Sequence, residues 1–276
     1  MPELPEVETV RRILSSAGIN QKKIEKIEIF NSRLVKDISE NQFTQLLSGE
    51  VIHEIRRKGK YLFFILSKSV LISHLGMTGK YFINEKLMNE EQRKNRALIL
   101  YLEKSEKLIY SDSRGFGSFR LQKLEEYKKL DPYKNIGTDL LDDEVNIEKI
   151  FNIYKKRKVF IKVALLEQNN VSGNGNIYAS ESLYKAGIHP LKRTNELTYS
   201  EIEKIFNCSR SIIKEATELG GTSVFDFINP QAQKGSYQFK LKVYDRDNLP
   251  CYSCYSLIIK KEINKRSSFF CPKCQA

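Results

Sequence analysis

The sequence predicts a multi-domain α+β protein: an N-terminal helix leading into a β-sandwich, then a helical domain, then a C-terminal β-hairpin finger. Three observations carry that expectation. Short β-type apolar runs separated by turn residues fill the stretch from Ile24 to about Arg120. Apolar residues at helical spacing fill Ile147 to Leu219. Four of the five cysteines fall at the extreme C-terminal end, from Cys251 onward. At 276 residues and 32.1 kDa the chain also exceeds one small domain and suggests two, of roughly 150 residues each.

The elements follow in order. Val7, Val10, Ile13 and Leu14 place a helix over Glu6–Ser16; Pro5 suits its first turn, and Glu6 and Glu8 sit where the helix dipole favours anions. Strands are expected over Lys60–Leu66, Val70–His74, Ala97–Leu102, Lys107–Ser111 and Gly117–Leu121. Asp131–Asp143, with Pro132, Gly137 and several acids, reads as a connection. Helices are expected over Ile147–Tyr154, Val159–Glu167, Asn176–Ala186 and Tyr199–Leu219. Gly220-Gly221, a polar loop from Asn229 to Ser236 and the cysteine-bounded tail complete the chain. The divisions are a β-sandwich domain over 1–133, a linker over 134–146, a helical domain over 147–240 and a finger over 241–276.

Composition narrows the class. With 41% hydrophobic and 29% charged residues the chain is neither disordered nor a membrane protein. Its longest apolar run, Tyr61–Leu66, is far short of the ~20 residues of a spanning helix. The amino terminus has no basic n-region or apolar h-region of an export signal. The net charge of +12 and a pI near 9.3 favour a polyanionic partner, nucleic acid before membrane; a lysine-rich proteome is the plainer source of the same excess. Five cysteines in so long a chain do not make a disulfide framework, and point to a reducing cytoplasm.

Cys251-x2-Cys254-x16-Cys271-x2-Cys274 fits the spacing of a four-thiolate zinc site, structural because no ligand position stays open. Between the two knuckles, apolar arms flank Lys260, Lys261, Lys265 and Arg266, a hairpin with a basic tip suited to phosphate. Ser172-Gly173-Asn174-Gly175-Asn176 lies between helical stretches. It has neither the preceding strand nor the third glycine of a dinucleotide loop, which leaves a helix–turn–helix with an anion-binding turn, or simply a turn with Asn176 as N-cap.

These pieces together resemble the formamidopyrimidine-DNA glycosylase family. The resemblance runs from end to end: Pro2-Glu3-Leu4-Pro5-Glu6, Lys60-Tyr61-Leu62, His74-Leu75-Gly76-Met77-Thr78-Gly79, Asp112-Ser113-Arg114-Gly115-Phe116-Gly117, Gly173-Asn174-Gly175-Asn176-Ile177-Tyr178-Ala179-Ser180-Glu181, Gly220-Gly221-Thr222-Ser223 and the four-cysteine finger. It implies a bifunctional glycosylase and abasic-site lyase with a helix–two-turn–helix domain, one structural zinc ion and damaged duplex DNA as partner. The expected protein is a monomer of the bacterial cytoplasm, held at the nucleoid through DNA.

By the same resemblance Pro2, exposed once Met1 is removed, is the nucleophile. An α-amine with a pKa of about 7.7–8.0 is far better placed than a lysine for that role, and a secondary amine gives an iminium that stays cationic. Glu3 is the acid that protonates the sugar ring oxygen. Lys60 binds phosphate and assists β-elimination, and Arg266 serves δ-elimination. Met77, Arg114 and Phe116 fill the void left by the everted nucleotide. Glu6, His74, Asn95, Arg157, Lys162 and Asn176 complete the DNA side, Glu6 mainly as helix-start scaffold. Asn229–Tyr237 matches a lid.

The chain departs from the family pattern at Gly115, where a basic residue is usual, at Asn95 and Ala97, where histidines are, at Asn174 and at Tyr255. These departures bear on affinity. A sister branch acting on oxidised pyrimidines usually reads Pro-Glu-Gly-Pro-Glu and lacks the same trio; a catalytically inactive DNA-binding protein is the other alternative.

Overall fold

The computed structural model describes residues 1–224 and 226–275. The chain forms two compact units, Met1–Lys134 with Leu219–Gln238, and Asn135–Glu218 with Phe239–Ala276. The segment 219–238, expected with the helical domain, thus belongs to the first unit. Phe227 and Ile228 pack against apolar residues of that unit, and Ile83 N–H donates to the Pro230 carbonyl at 3.4 Å.

The first unit contains α1 (Leu4–Ser16), β1 (Lys22–Ile29), α2 (Glu40–Leu47), β2 (Val51–Lys58), β3 (Tyr61–Leu66), β4 (Ser69–His74), β5 (Lys80–Phe82), α3 (Glu90–Lys94), β6 (Arg96–Leu102), β7 (Glu106–Ser111) and β8 (Ser118–Lys123). The strands form one antiparallel ladder in the order β5-β7-β6-β1-β2-β3-β4-β8. β1 carries the ladder from one layer of the sandwich to the other: Lys22 and Lys23 pair with β2, while Ile24–Ile29 pair with β6 across an irregularity. Val7, Val10 and Leu14 of α1 and Phe43 and Leu47 of α2 are buried in the same core as Leu62, Phe64, Leu98 and Leu100.

α1 starts two residues before the expected position because Glu6 accepts the Glu3 N–H at 2.7 Å, closing the first turn. α2 was not expected. Its start is nonetheless written in the chain, since Ser39 and Gln42 exchange side-chain and backbone hydrogen bonds as a capping box.

The second unit contains β9 (Thr138–Asp139), α4 (Ile147–Lys155), α5 (Ile161–Ala164), β10 (Val171–Ser172), α6 (Asn176–Ala186), α7 (Tyr199–Glu218), β11 (Ile259–Ile263) and β12 (Arg266–Phe270). Part of the expected linker is β9, paired in parallel with β10. The helix expected over Val159–Glu167 shrinks to α5, because its leading backbone bonds elsewhere: Ile161 N–H to the Lys192 carbonyl, and the Val159 carbonyl to Thr194 N–H. α6 packs on α7 and β12. Its buried Glu181 accepts three consecutive N–H groups, from Lys242, Val243 and Tyr244, at 2.8–2.9 Å, fastening the chain that enters the finger.

Candidate active site and nucleic-acid interface

In the first unit the head of α1 is enclosed: Pro2, Glu3 and Glu6 are all buried. Burial lowers the pKa of the terminal amine at Met1; Glu3 and Glu6 oppose that shift, while Lys60 and Arg114 add to it. An amine in this setting sheds its proton more readily than an exposed one. Glu6 acts at the helix start, as expected, closing a capping box with Glu3. Its two oxygens accept Glu3 N–H and Thr222 N–H, both at 2.7 Å, binding the helix head to the returning segment. Gly221, at φ +83°, leaves room for this: a Cβ there would lie 2.7 Å from the Glu6 carboxylate.

Lys60 is buried in the two-residue turn between β2 and β3, after Gly59 at φ +56°. Behind it, the inward-pointing Arg57 pairs with Glu8 of α1 at 3.1 Å and donates to the Gly59 carbonyl at 3.1 Å. His74, at the end of β4, is pushed down to a pKa of about 4 by burial and then by Lys60. Its Nδ1 accepts the Gly76 N–H at 3.1 Å, and its ring centroid lies 4.6 Å from that of Tyr61. The imidazole is therefore neutral with its proton on Nε2, a donor suited to a phosphate oxygen.

Met77, Arg114 and Phe116 are all exposed, on two loops that the structure clamps together. Arg114 lies over the Phe116 ring at 4.9 Å. The clamp is Asp112: one oxygen accepts the Thr78 hydroxyl at 2.5 Å and Arg114 N–H at 3.3 Å, the other Gly117 N–H at 2.7 Å. Tyr110 donates to the Leu75 carbonyl at 3.2 Å, and its hydroxyl occupies the space where a Cβ on Gly79 or Gly117 would stand. Gly115 is at φ +64°, so the basic residue usual there would be strained in this backbone. Ala97 lies inside the core.

Asn95 ends α3; its amide donates to the Glu91 carbonyl at 3.0 Å and its own carbonyl accepts Asp112 N–H at 3.0 Å. It lines a cavity of about 260 Å³ with Thr78, Lys80, Ser113, Phe227 and Lys234. The expected lid is tied down in this structure: Asn229 Oδ1 accepts two N–H groups of its own turn, and Gly235 N–H donates to Ser223 at 3.0 Å.

In the second unit three expected DNA ligands have other engagements. Lys162 is 1% exposed and its ammonium donates to the Asn176 carbonyl at 2.8 Å and the Ser180 hydroxyl at 2.6 Å, a post beneath the first turn of α6. Arg157 forms a two-pronged pair with Glu167 at 2.6 Å. Asn176 is the first helical residue, not the N-cap, which is Gly175; its side-chain amide donates to the Ser267 carbonyl at 2.7 Å. That bond holds β12 against the helix next to Arg266, which is exposed at the tip of the β11–β12 hairpin. The tip turns on Asn264 and Lys265, both with positive φ, as a two-residue hairpin requires.

The sulfurs of Cys251, Cys254, Cys271 and Cys274 lie within 4.8 Å of one another, a cluster able to hold a metal ion. Ser253 N–H and Tyr184 Oη approach Cys251 Sγ at 3.5 and 3.2 Å, and Cys274 N–H approaches Cys271 Sγ at 3.4 Å. Tyr255, directly after the first knuckle, has φ +61° and is 79% exposed.

Comparison with known proteins defines the class: two family models match, the formamidopyrimidine-DNA glycosylase N-terminal domain over residues 1–119 and its H2TH domain over 136–227. Among curated relatives, formamidopyrimidine-DNA glycosylases of Bacillus licheniformis and Oceanobacillus iheyensis are 38% and 36% identical; the matches cover all of this chain and 99% and 98% of theirs. Among solved structures, the Lactococcus lactis enzyme with abasic-site-containing DNA matches at 36% identity and TM-score 0.90 over 100% of both chains. Its complexes with DNA containing N7-benzyl-Fapy-dG and with DNA containing an oxidised pyrimidine match at TM-score 0.90 over 99% of both. The fold and site are those of a DNA glycosylase of base excision repair. The chain belongs to the formamidopyrimidine-DNA glycosylase family, whose members are bifunctional glycosylases and abasic-site lyases.

Sequence reasoning gave Glu8 only a helix-dipole role and assigned none to Arg57, Asp112, Thr78 or Glu181. Asp112, Thr78 and Glu181 lay inside quoted motifs, where a buried acid among glycines was the available signal. Arg57 and Glu8 stand too far apart in the chain for any local pattern to join them. No described helix is long and apolar enough to cross a membrane.

Proposed function

We propose that the chain removes oxidised purines, 8-oxoguanine and formamidopyrimidines, from duplex DNA through residue 2 and then cleaves the strand by β,δ-elimination. The observation that carries this is the enclosed head of α1: Pro2 and Glu3 are buried there, and burial lowers the pKa of the terminal amine at Met1, one residue away, with Lys60 adding to that shift. With Met1 removed, the Pro2 nitrogen attacks C1′ as the C1′–base bond breaks, the nitrogen's proton passing to the departing base; Glu3 then protonates the ring oxygen as the C1′–O4′ bond opens, leaving an iminium at C1′. The resulting iminium is the electron sink for loss of a C2′ proton and the 3′ phosphate, assisted by Lys60, and then of the 5′ phosphate, assisted by Arg266. Met77, Arg114 and Phe116 occupy the vacated stack, with Arg114 offering two donors to an orphaned cytosine. His74 and Asn95 supply further backbone contacts on the first unit.

The partner is damaged double-stranded DNA, bound by a monomer in the bacterial cytoplasm. Zinc fits the cysteine cluster: four thiolates at about 2.3 Å from one ion stand about 3.8 Å apart, and the Cys251–Cys274 and Cys254–Cys271 pairs are at 3.9 and 3.4 Å. When bound, it supplies a rigid base for the hairpin and takes no part in the reaction. A second reading, excision of oxidised pyrimidines, is favoured by the relative's complex with such DNA.

Borohydride trapping on duplexes carrying each lesion tests both. A covalent adduct mapped to residue 2, formed fastest on the purine lesions, is expected. Trapping that persisted unchanged in a Pro2→Gly protein with a blocked α-amine would remove the assignment.

A further inference from the structure

The turn that carries Lys60 is tied to α1 by a buried ion pair. Arg57 takes an inward-facing position of β2, in step with Ile55, where the alternation calls for an apolar side chain. Its side chain is 1% exposed. Nε donates to Glu8 Oε2 and Nη1 to the Gly59 carbonyl, each at 3.1 Å. Burying a guanidinium costs several kcal/mol, and an apolar residue is often neutral or better in such a place. What an apolar residue could not supply is the bond to Gly59, the residue immediately before Lys60 in a turn closed by the Lys58–Tyr61 pair.

We propose that Arg57 is a positioning residue for catalysis: anchored on α1 by Glu8, it fixes the Gly59–Lys60 turn and so sets the Lys60 ammonium relative to the amine at the head of the same helix. This rests on the reading of residue 2 and Lys60 as reacting groups. A planar guanidinium can bridge a carboxylate on one element and a carbonyl on another, which a lysine's point charge does not reproduce. The anchor stays ionised. Burial raises the Glu8 pKa, but hydrogen bonds from Arg11 and Arg12 and the charges of Arg11 and Arg57 bring it down to about 2. Lys60 also lowers the pKa of the terminal amine at Met1 and, after burial, that of His74, so the turn is electrostatically linked to the head of α1.

The test uses the mature full-length protein with Arg57→Met and Arg57→Lys, each alone and combined with Lys60→Met. Single-turnover strand cleavage of an abasic-site duplex, borohydride trapping across pH, and duplex affinity are measured. Arg57→Met should slow cleavage about 10- to 100-fold, as small misplacements of reacting groups do, shift the pH profile of trapping, and leave the Kd within about threefold of the parent; Arg57→Lys should not restore the rate. In the Lys60→Met background the same change should cost less than about threefold, because the two residues act as one unit. Equal losses in both backgrounds would make Arg57 merely structural and overturn the proposal. Should Arg57→Met fail to fold, Glu8→Gln replaces it. That variant keeps an acceptor for Arg57 and should give a smaller loss, again confined to proteins with Lys60; a loss independent of Lys60 overturns the proposal equally. If the parent forms no adduct at residue 2, or Lys60→Met cleaves at the parental rate, the reading of the reacting groups fails and leaves Arg57 nothing to position.

Discussion

The loops that present Met77, Arg114 and Phe116 and the hairpin that presents Arg266 are both exposed, yet they are held by different means. The loops are fixed from within: Asp112 gathers one hydroxyl and two N–H groups, Tyr110 fills the space over two glycines, and Gly76 packs on the Phe116 backbone. The hairpin buries Ile263, Phe269 and Phe270, while the rest of its first strand is exposed. It depends on four sulfurs and on outside ties, among them Asn176 to Ser267, Tyr184 to Cys251 and Ser253, and Glu181 to the chain that leads into it. A polar clamp needs no cofactor but tolerates no substitution at its centre; a metal knuckle tolerates variation around it but fails as a whole when the ion leaves.

The largest effect that would sharpen this contrast comes from the metal. Chelation, or Cys271→Ser, should unfold the hairpin and lower duplex affinity about tenfold to a hundredfold, the worth of one or two charge-assisted hydrogen bonds. Borohydride trapping at saturating DNA should stay within about threefold. A matching collapse of trapping would show that the two regions are not held independently.

Asp112→Ala comes next. It strands Thr78 and two N–H groups, a loss of about 2–4 kcal/mol if they stay buried, and should lower the denaturation midpoint and flatten the preference for cytosine opposite the lesion, while metal content remains at one ion per chain. Unchanged opposite-base preference would mean that the trio does not need its clamp.

His74 gives a smaller, pH-dependent effect. Its folded pKa, about 4, lies below the ordinary value of 6.5, so the unfolded chain binds the extra proton first. The stability it contributes is complete above about pH 6.5 and is lost as pH falls toward 4. Denaturant midpoints should decline across that window in the parent and decline less in His74→Gln; parallel curves would remove His74 from the account.

The smallest effect is a gain. Tyr255 holds a left-handed backbone that costs a non-glycine residue about 1–2 kcal/mol. Tyr255→Gly should raise the melting temperature of the metal-loaded protein by about 2–4 °C.

Legibility followed the range of the interaction. The cysteine knuckles, α6 and the apolar strands β3, β4 and β6 were readable because their determinants are local: a spacing, a glycine, a run. β1 and β2 were not, because sequences such as Lys-Lys-Ile-Glu-Lys-Ile-Glu-Ile alternate charge with apolar residues and show too little apolar density. The site residues divide in the same way. Met77 and Phe116 were legible through short motifs, but the commitments of Lys162, Arg157 and Glu6 depend on partners brought close by folding. Glu167 stands ten residues beyond Arg157 and was a discoverable partner; Thr222 was not a discoverable one for Glu6.

That last bond spans 216 residues, and it puts a clock on the molecule's birth. A ribosome adding 5–20 residues per second needs roughly ten to forty seconds between the two partners. For the later part of that interval, after the first unit has been made as far as Lys134, the head of α1 waits without the segment from Leu219 that completes the unit. The head of α1 is among the first parts made and among the last to be finished.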